Sequence, residues 1–187
     1  HVLVTCTLNS GFSYKNKREF EMGNNYIAAI GRPGRLLAAR LLPDQDVYET
    51  IIEIIQDNAF DSGTISAIGS LKSATVIYPK SMEIPDTTTK DLIEFANVYK
   101  MEGPVELGWC YGTFGTEDNN EINMHLHGLI MDKDGNYRSG NLLPGSAPVF
   151  ATVDLTIQER EGMSLKPTLD ETWGHKFLHP KEMRRGR

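Results

Sequence analysis

Residues 122–143 read INMHLHGLIMDKDGNYRSGNLL, and the arrangement of strands can be inferred from their pattern. From Ile122 to Leu126 every second residue is apolar and the residues between are polar, which is typical of a strand with one buried face. Asp134-Gly135 follows, and this pair favours a tight hairpin turn because it tolerates the positive φ that such turns need. The stretch therefore predicts two antiparallel strands joined by that turn.

A helix is predicted by the residues that follow Asp46. Asp46 is a good N-cap, and Glu49 stands three residues later, as in a capping box. Ile51 and Ile55 then recur at helical spacing and form one apolar stripe. We expect a helix from Val47 to Ala59.

Short β-branched or alternating runs predict the other strands, with a turn at Gly31–Gly34 and a loop over Pro79–Lys90. These runs are Tyr26–Ile30, Leu36–Leu42, Thr64–Ile68, Ala74–Tyr78, Val105–Phe114 and Val149–Gln158. Many strands and one strong helix predict an α+β fold, in which a mainly antiparallel twisted sheet carries the principal helix on one face.

The chain of 187 residues is long enough for one domain. We expect an N-terminal extension over 1–25, the sheet domain over 26–162 and a C-terminal extension over 163–187. The last segment has no regular periodicity beyond Leu165, yet it contains Trp173 and Phe177. Such a tail would dock on the surface or on a neighbouring subunit.

Charge and composition restrict the classes of protein to which this chain can belong. The formal net charge is −6, which argues against strong non-specific DNA binding, because that affinity depends on clustered Lys and Arg. No apolar run reaches the ~18 residues of a membrane span. Cys6 and Cys110 are too few for a disulfide framework, and Cys110 is expected in the core. These features predict a cytoplasmic protein that binds DNA weakly at most.

The polar face of the first strand is the candidate site. His125 and His127 lie two positions apart, so their imidazoles share a face at roughly 7 Å spacing between Cα atoms. Two imidazoles can bind one metal ion, with a third ligand from another strand or chain. The alternatives are two solvated histidines, or a site for an organic ligand or a general base. Glu106 is either a general base near this pair or an exposed carboxylate.

Several blocks of the sequence, in this order, resemble the plants-and-prokaryotes-conserved (PPC) domain over roughly residues 35–159. They are Arg35-Leu36-Leu37, Leu42-Pro43-Asp44-Gln45-Asp46, Ser66 to Ala74, Gly103-Pro104-Val105-Glu106-Leu107, Tyr111-Gly112-Thr113, His125-Leu126-His127, Asp134-Gly135 and Ser139-Gly140-Asn141-Leu142. The resemblance implies a mainly antiparallel sheet, commonly assembled as a homotrimer. The stand-alone prokaryotic members are usually described as candidate DNA-binding proteins.

Many members of that family carry a third histidine after the His-x-His pair, where this chain has Asn141. Asn is a poor zinc ligand, which argues against a closed structural zinc site. His175 or His179 from the tail could replace the missing ligand. The hairpin register is expected to bring Asn141 opposite His127 or within one residue of it. The site then suits a weakly held zinc or other divalent metal, or an anionic small molecule.

Two classes of function follow from the sequence. One is a stand-alone PPC-type oligomer that acts on DNA or protein partners. The other is a metal-dependent enzyme or small-molecule-binding protein that uses His125 and His127 at a subunit interface. The sequence leaves open whether the protein is an enzyme.

Overall fold

The computed structural model describes residues 26–81 and 96–183. The predicted extension over 1–25 and most of the predicted loop over Pro79–Lys90 lie outside these residues. In chain order the elements are β1 (Arg32–Leu41), α1 (Val47–Asp57), β2 (Ser62–Pro79), β3 (Ala96–Thr116), β4 (Ile122–Asp132), β5 (Tyr137–Leu142), β6 (Val149–Glu161), β7 (Met163–Asp170) and β8 (His175–Glu182).

Six strands form one antiparallel sheet in the order β1-β6-β2-β3-β4-β5. The far half of β2 also pairs with β5, through Val76↔Leu142 and Ile77↔Asn141. The strands β2, β3, β4 and β5 therefore form a closed ring, in which each strand pairs with two of the others. The mainly antiparallel sheet predicted from the sequence is confirmed.

The single helix of the described residues begins where the sequence predicts. One Asp46 carboxylate oxygen accepts the Glu49 backbone N–H at 3.1 Å, and the other accepts the Ala147 backbone N–H at 2.8 Å. The helix ends at Asp57, two residues before the predicted Ala59. Ile51 and Ile55 are fully buried in the same cluster as the strand residues of the core. No helix in residues 26–81 and 96–183 is long and apolar enough to cross a membrane.

The prediction of two short strands, Thr64–Ile68 and Ala74–Tyr78, is wrong, because β2 is one strand from Ser62 to Pro79. Gly69, which follows the first of these predicted strands, does not interrupt β2. The register shifts on both sides of it, as at a β-bulge, and a Cβ there would collide with the Thr152 carbonyl oxygen.

The start of the sheet also differs from the prediction. Tyr26–Ile30 forms no strand. The strand next to β1 is β6, and it ends at Glu161, opposite Arg32, so it does not reach these residues. The predicted turn at Gly31–Gly34 is largely the beginning of β1. Pro33 is tolerated there because the register shifts just after it, where fewer ladder hydrogen bonds are required.

The predicted C-terminal extension contains a second antiparallel pair, β7–β8, between Met163 and Glu182. Met163 and Leu165 are buried, and Gly115 of β3 has no room for a Cβ beneath the Leu165 carbonyl oxygen. We call this pair the C-terminal hairpin. It packs against the main sheet at the end of β3.

Candidate metal and ligand site

The two faces of β4 differ as the alternation predicts. Met124, Leu126 and Ile130 are buried in the core. His125 is exposed and His127 is half-buried on the opposite face, which we call the outer face of the sheet. The strand therefore presents both imidazoles on one face, and the buried side chains on its other face anchor it in the core.

The two imidazoles of β4 approach each other closely. Their Nε2 atoms are 3.0 Å apart, and the rings meet edge to face with centroids 4.9 Å apart and planes inclined by 71°. One ring can donate its N–H to the other. Alternatively, both unprotonated nitrogens can face one cation.

The separation of these nitrogens fits a shared metal ion. Two imidazole nitrogens that each bind zinc at about 2.0–2.1 Å lie roughly 2.9–3.4 Å apart for ordinary bond angles. His125 and His127 would hold such an ion, and it would act as a Lewis acid toward a bound ligand. The remaining coordination positions need other ligands.

Burial lowers the pKa of His127, and the neighbouring charge of His125 lowers it further. Both causes disfavour the protonated ring. A neutral His127 keeps a lone pair on one ring nitrogen, which is the form that can accept a hydrogen bond or bind a cation.

Asn141 lies where the hairpin register predicts. It pairs with His127 across β4 and β5, and with Ile77 across β5 and β2. The Asp132–Gly135 turn sets this register, since Met131 pairs with Tyr137 next to it. Asn141 is therefore the β5 residue directly beside the histidine pair, and this prediction is confirmed.

His175 comes from the first position of β8 in the C-terminal hairpin. Together with His125 and Asn141 it lines a cavity of about 310 Å³ between the edge of the main sheet and the hairpin. The structure thus brings His175 to the same cavity as His125. However, the described ranges, 26–81 and 96–183, contain no group of three or more His, Cys, Asp or Glu side chains placed to hold one metal ion.

Glu106 lies away from the histidine pair along the sheet, and Cys110 lies in the core as expected. Glu106 pairs with Met131, four positions along β4 from His127, or roughly 13 Å at the rise of an extended strand. Cys110 is buried, and burial raises the pKa of its thiol to about 12, so it is not a thiolate nucleophile. The exposed-carboxylate interpretation of Glu106 is the one this register favours.

The sequence interpretation missed an aromatic neighbour of the site. Trp109 and Tyr111 of β3 stack on the outer face, with ring centroids 5.7 Å apart and planes within 5°. Tyr111 pairs directly with His127. The signal was present in the sequence, because positions 109 and 111 have the same two-residue spacing as the histidines.

The arginines at the start of β1 are already paired with acidic residues. An Arg32 guanidinium nitrogen lies 2.7 Å from a Glu161 oxygen, and Arg35 holds Glu159 at the same distance. The Arg35 hydrogen bond and charge lower the pKa of the Glu159 carboxyl. These arginines therefore add little net positive potential for a phosphate backbone.

The sequence of the main sheet domain matches a known family. A model of the Plants and Prokaryotes Conserved (PCC) domain, the domain abbreviated PPC above, matches residues 28–161. The chain belongs to this family. A search of curated proteins gave no significant match.

Solved structures with the same fold come from archaea and bacteria. A metal-containing protein from Archaeoglobus fulgidus is 21% identical, with a TM-score of 0.66, covering 83% of this chain and 99% of its own. A PPC protein from Pyrococcus horikoshii is 18% identical, with a TM-score of 0.66 and coverages of 84% and 100%. A candidate DNA-binding protein from Bacteroides thetaiotaomicron is 15% identical, with a TM-score of 0.62 and coverages of 80% and 97%.

Proposed function

We propose that this chain is a stand-alone PPC-type oligomeric protein whose His125/His127 pair holds an exchangeable divalent metal ion, zinc being the first candidate. The 3.0 Å separation of the two Nε2 atoms carries the proposal. Two imidazoles beside the Asn141 amide leave coordination positions open, which suits a metal that binds a further ligand rather than a closed structural site. The metal-containing relative from Archaeoglobus fulgidus supports the same idea.

Calorimetric titration of zinc into the metal-stripped protein tests the metal site. Wild type should bind zinc, and the His125→Ala/His127→Ala double variant should lose binding. His179→Ala is the matched control, since it removes an imidazole from β8 that does not line the cavity. Equal binding by wild type and the double variant would contradict the proposal.

We infer that α1 packs across the inner face of the sheet and leaves the outer face free for assembly. Ile68, Trp109, Tyr111 and Met131 are all exposed on that outer face. Large apolar side chains grouped in this way favour a protein interface. The family resemblance supplies the proposed homotrimer, and a monomer mass by light scattering at micromolar concentration would contradict it.

DNA binding is the second candidate role, which the description of the Bacteroides thetaiotaomicron relative favours. We propose that any such binding is weak and depends on salt, given the net charge of −6 and the paired arginines of β1. A gel-shift titration with random duplexes at physiological salt is the test. Sub-micromolar affinity would contradict weak binding.

The alternative is a metal-dependent enzyme or a small-molecule-binding protein that uses the same histidines at a subunit interface. The cavity beside His125 favours this alternative, because ligand sites are concave and mostly apolar with a few polar groups.

We place the protein in the cytoplasm, in keeping with the free, buried thiol of Cys110.

A further inference from the structure

The cavity beside His125 has walls from two separate parts of the fold. Asn141 and Leu142 belong to the main sheet, and His175 and Phe177 belong to the C-terminal hairpin. Its volume of about 310 Å³ is at the lower end of the ~300–1,000 Å³ range of ligand sites. A ligand held there would be small, and it would touch both the family domain and the hairpin that follows it.

The hairpin wall is held in place by contacts with the end of β3 and the residue that follows it. The Leu165 backbone lies directly on Gly115, and the Lys166 ammonium donates to the Thr116 carbonyl oxygen at 2.9 Å. Lys176 forms an ion pair with Glu117 at 2.6 Å. The wall is therefore formed before any ligand arrives, which lowers the entropic cost of binding.

The described residues that line the cavity bring no negative charge to it. The chain has 25 acidic residues against 19 basic ones, yet the described residues that line this cavity include no Asp or Glu. The polar lining includes the imidazoles of His125 and His175 and the amide of Asn141, and each of these can donate an N–H. Lys176 is also present, with its charge balanced by Glu117. Such a lining fits one negative charge rather than several.

The rest of the cavity is mostly apolar. Leu142 comes from β5, and Phe177 and Leu178 come from β8. An apolar wall next to a group of N–H donors matches a ligand with an apolar body and an acidic head.

We propose that this cavity binds a small monocarboxylic acid with an apolar body. The carboxylate lies between His125, His175 and Asn141, and the apolar body lies against Phe177 and Leu142. The inference rests on the proposed small-molecule role of the histidine site, and it shares His125 with the proposed metal site without requiring the metal ion. His175 is then a ligand-binding residue supplied by the C-terminal hairpin rather than a third metal ligand.

Calorimetric titrations of butyrate, isovalerate and benzoate into the full chain test the proposed ligand class, with benzamide as the uncharged match for benzoate. At least one acid should bind, and benzamide should bind at least about tenfold more weakly than benzoate, because charge-assisted hydrogen bonds are the stronger ones. Absence of binding by all three acids at millimolar concentration, or equal binding of benzoate and benzamide, would overturn the proposal.

Matched variants of β8 locate the site. His175→Leu should weaken binding of the acid about tenfold, whereas His179→Leu should leave it unchanged. In wild type, nuclear Overhauser contacts between the bound acid and the Phe177 ring are also expected, so the test does not depend on a variant that folds. Equal affinity in both variants, or no contact with Phe177, would contradict the site.

A zinc titration of the same samples separates this inference from the proposed metal site. His175→Leu should keep wild-type zinc binding. Acid binding without zinc binding would support the cavity and refute the metal. Zinc binding without acid binding would do the reverse.

Discussion

The β4–β5 hairpin and the C-terminal hairpin are closed by the same kind of turn. In the first, an Asp132 carboxylate oxygen accepts the backbone N–H groups of Asp134 and Asn136, each at 2.9 Å, and Gly135 has φ of 81°. In the second, an Asp170 oxygen accepts the N–H groups of Thr172 at 2.9 Å and Trp173 at 3.2 Å, and Gly174 has φ of 65°. An aspartate and a positive-φ glycine therefore close both turns.

The two hairpins differ in how they join the rest of the molecule. The inner face of β4 lies in the main core, with Leu126 and Ile130 almost fully buried. The C-terminal hairpin forms its own two-stranded sheet, with Met163 and Leu165 as its buried apolar residues. The same turn chemistry thus serves one hairpin that is part of the core and one that is docked on it. We expect the docked hairpin to open without global unfolding.

Leucine-to-alanine variants should show the largest difference in stability between the β4–β5 hairpin and the C-terminal hairpin. Leu126→Ala should lower the free energy of unfolding by about 3 kcal/mol, as is typical for a buried leucine. Leu165→Ala should cost at most about 2 kcal/mol in global stability, because the loss is limited to the free energy of docking. Urea denaturation measures both, and hydrogen exchange should show that Leu165→Ala exposes the amides of β7 and β8 alone. Equal global losses would mean that the hairpin is part of the core.

A pair of glycines in β3 tests the docking contact itself. Gly115→Ala should release the C-terminal hairpin at a cost of about 2 kcal/mol, since its Cβ would occupy the position of the Leu165 carbonyl oxygen. Gly108→Ala is the matched control, because the nearest atom to its Cβ would be the Leu129 carbonyl oxygen at 3.9 Å, an ordinary contact. The same exchange measurement reports the outcome. Protected β7 amides in Gly115→Ala would show that the contact is not required.

Alanine variants of the two turn glycines should show a smaller difference in stability between the two hairpins. Gly135→Ala should lower global stability by about 1 kcal/mol, since alanine is strained at positive φ although no atom lies within 4 Å of its Cβ position. Gly174→Ala carries the same backbone strain, but it should appear only as faster exchange within the C-terminal hairpin. Thermal denaturation distinguishes the two, and matching shifts in Tm would remove the difference between the hairpins.

The smallest effect concerns acid pH. The Asn136 side chain, with the backbone N–H groups of Asn136 and Asp134, lowers the pKa of the Asp132 carboxyl. Because that pKa is lowered, its stabilising contribution is present above the ordinary aspartate value of about 3.9 and is lost as pH falls through the lower folded value. An NMR titration should place the Asp132 carboxyl below that ordinary value, and Asp132→Asn should flatten the acid limb of the stability curve. Titration at or above the ordinary value would contradict this reasoning.

The sequence predicts most reliably where short-range pattern and turn chemistry agree. Alternation along β4, the Asp134-Gly135 turn and the Asp46 cap each depend on residues within a few positions of one another, and all three are present in the structure. The position of Asn141 opposite His127 follows from the first two. That much of the candidate site could be predicted from local rules.

Features set by distant contacts could not be predicted in this way. The two short strands Thr64–Ile68 and Ala74–Tyr78 are one strand in the structure, because Gly69 between them is a bulge that Thr152 of β6 approaches closely. The C-terminal hairpin has Pro167 and Pro180 in its strands and little alternation, so its strand character depends on its partner and on the Gly115 contact. The position of His175 at the same cavity as His125 depends on that docking, which no local pattern encodes.

Anomalous diffraction at the zinc edge, from crystals of the wild-type protein grown with zinc, tests the histidine site most directly. We expect one peak at about 2.0–2.1 Å from both His125 Nε2 and His127 Nε2, with the remaining positions open to solvent or a carboxylate. No peak at the outer face of β4, or a peak that contacts only one of the two imidazoles, would contradict the proposed site.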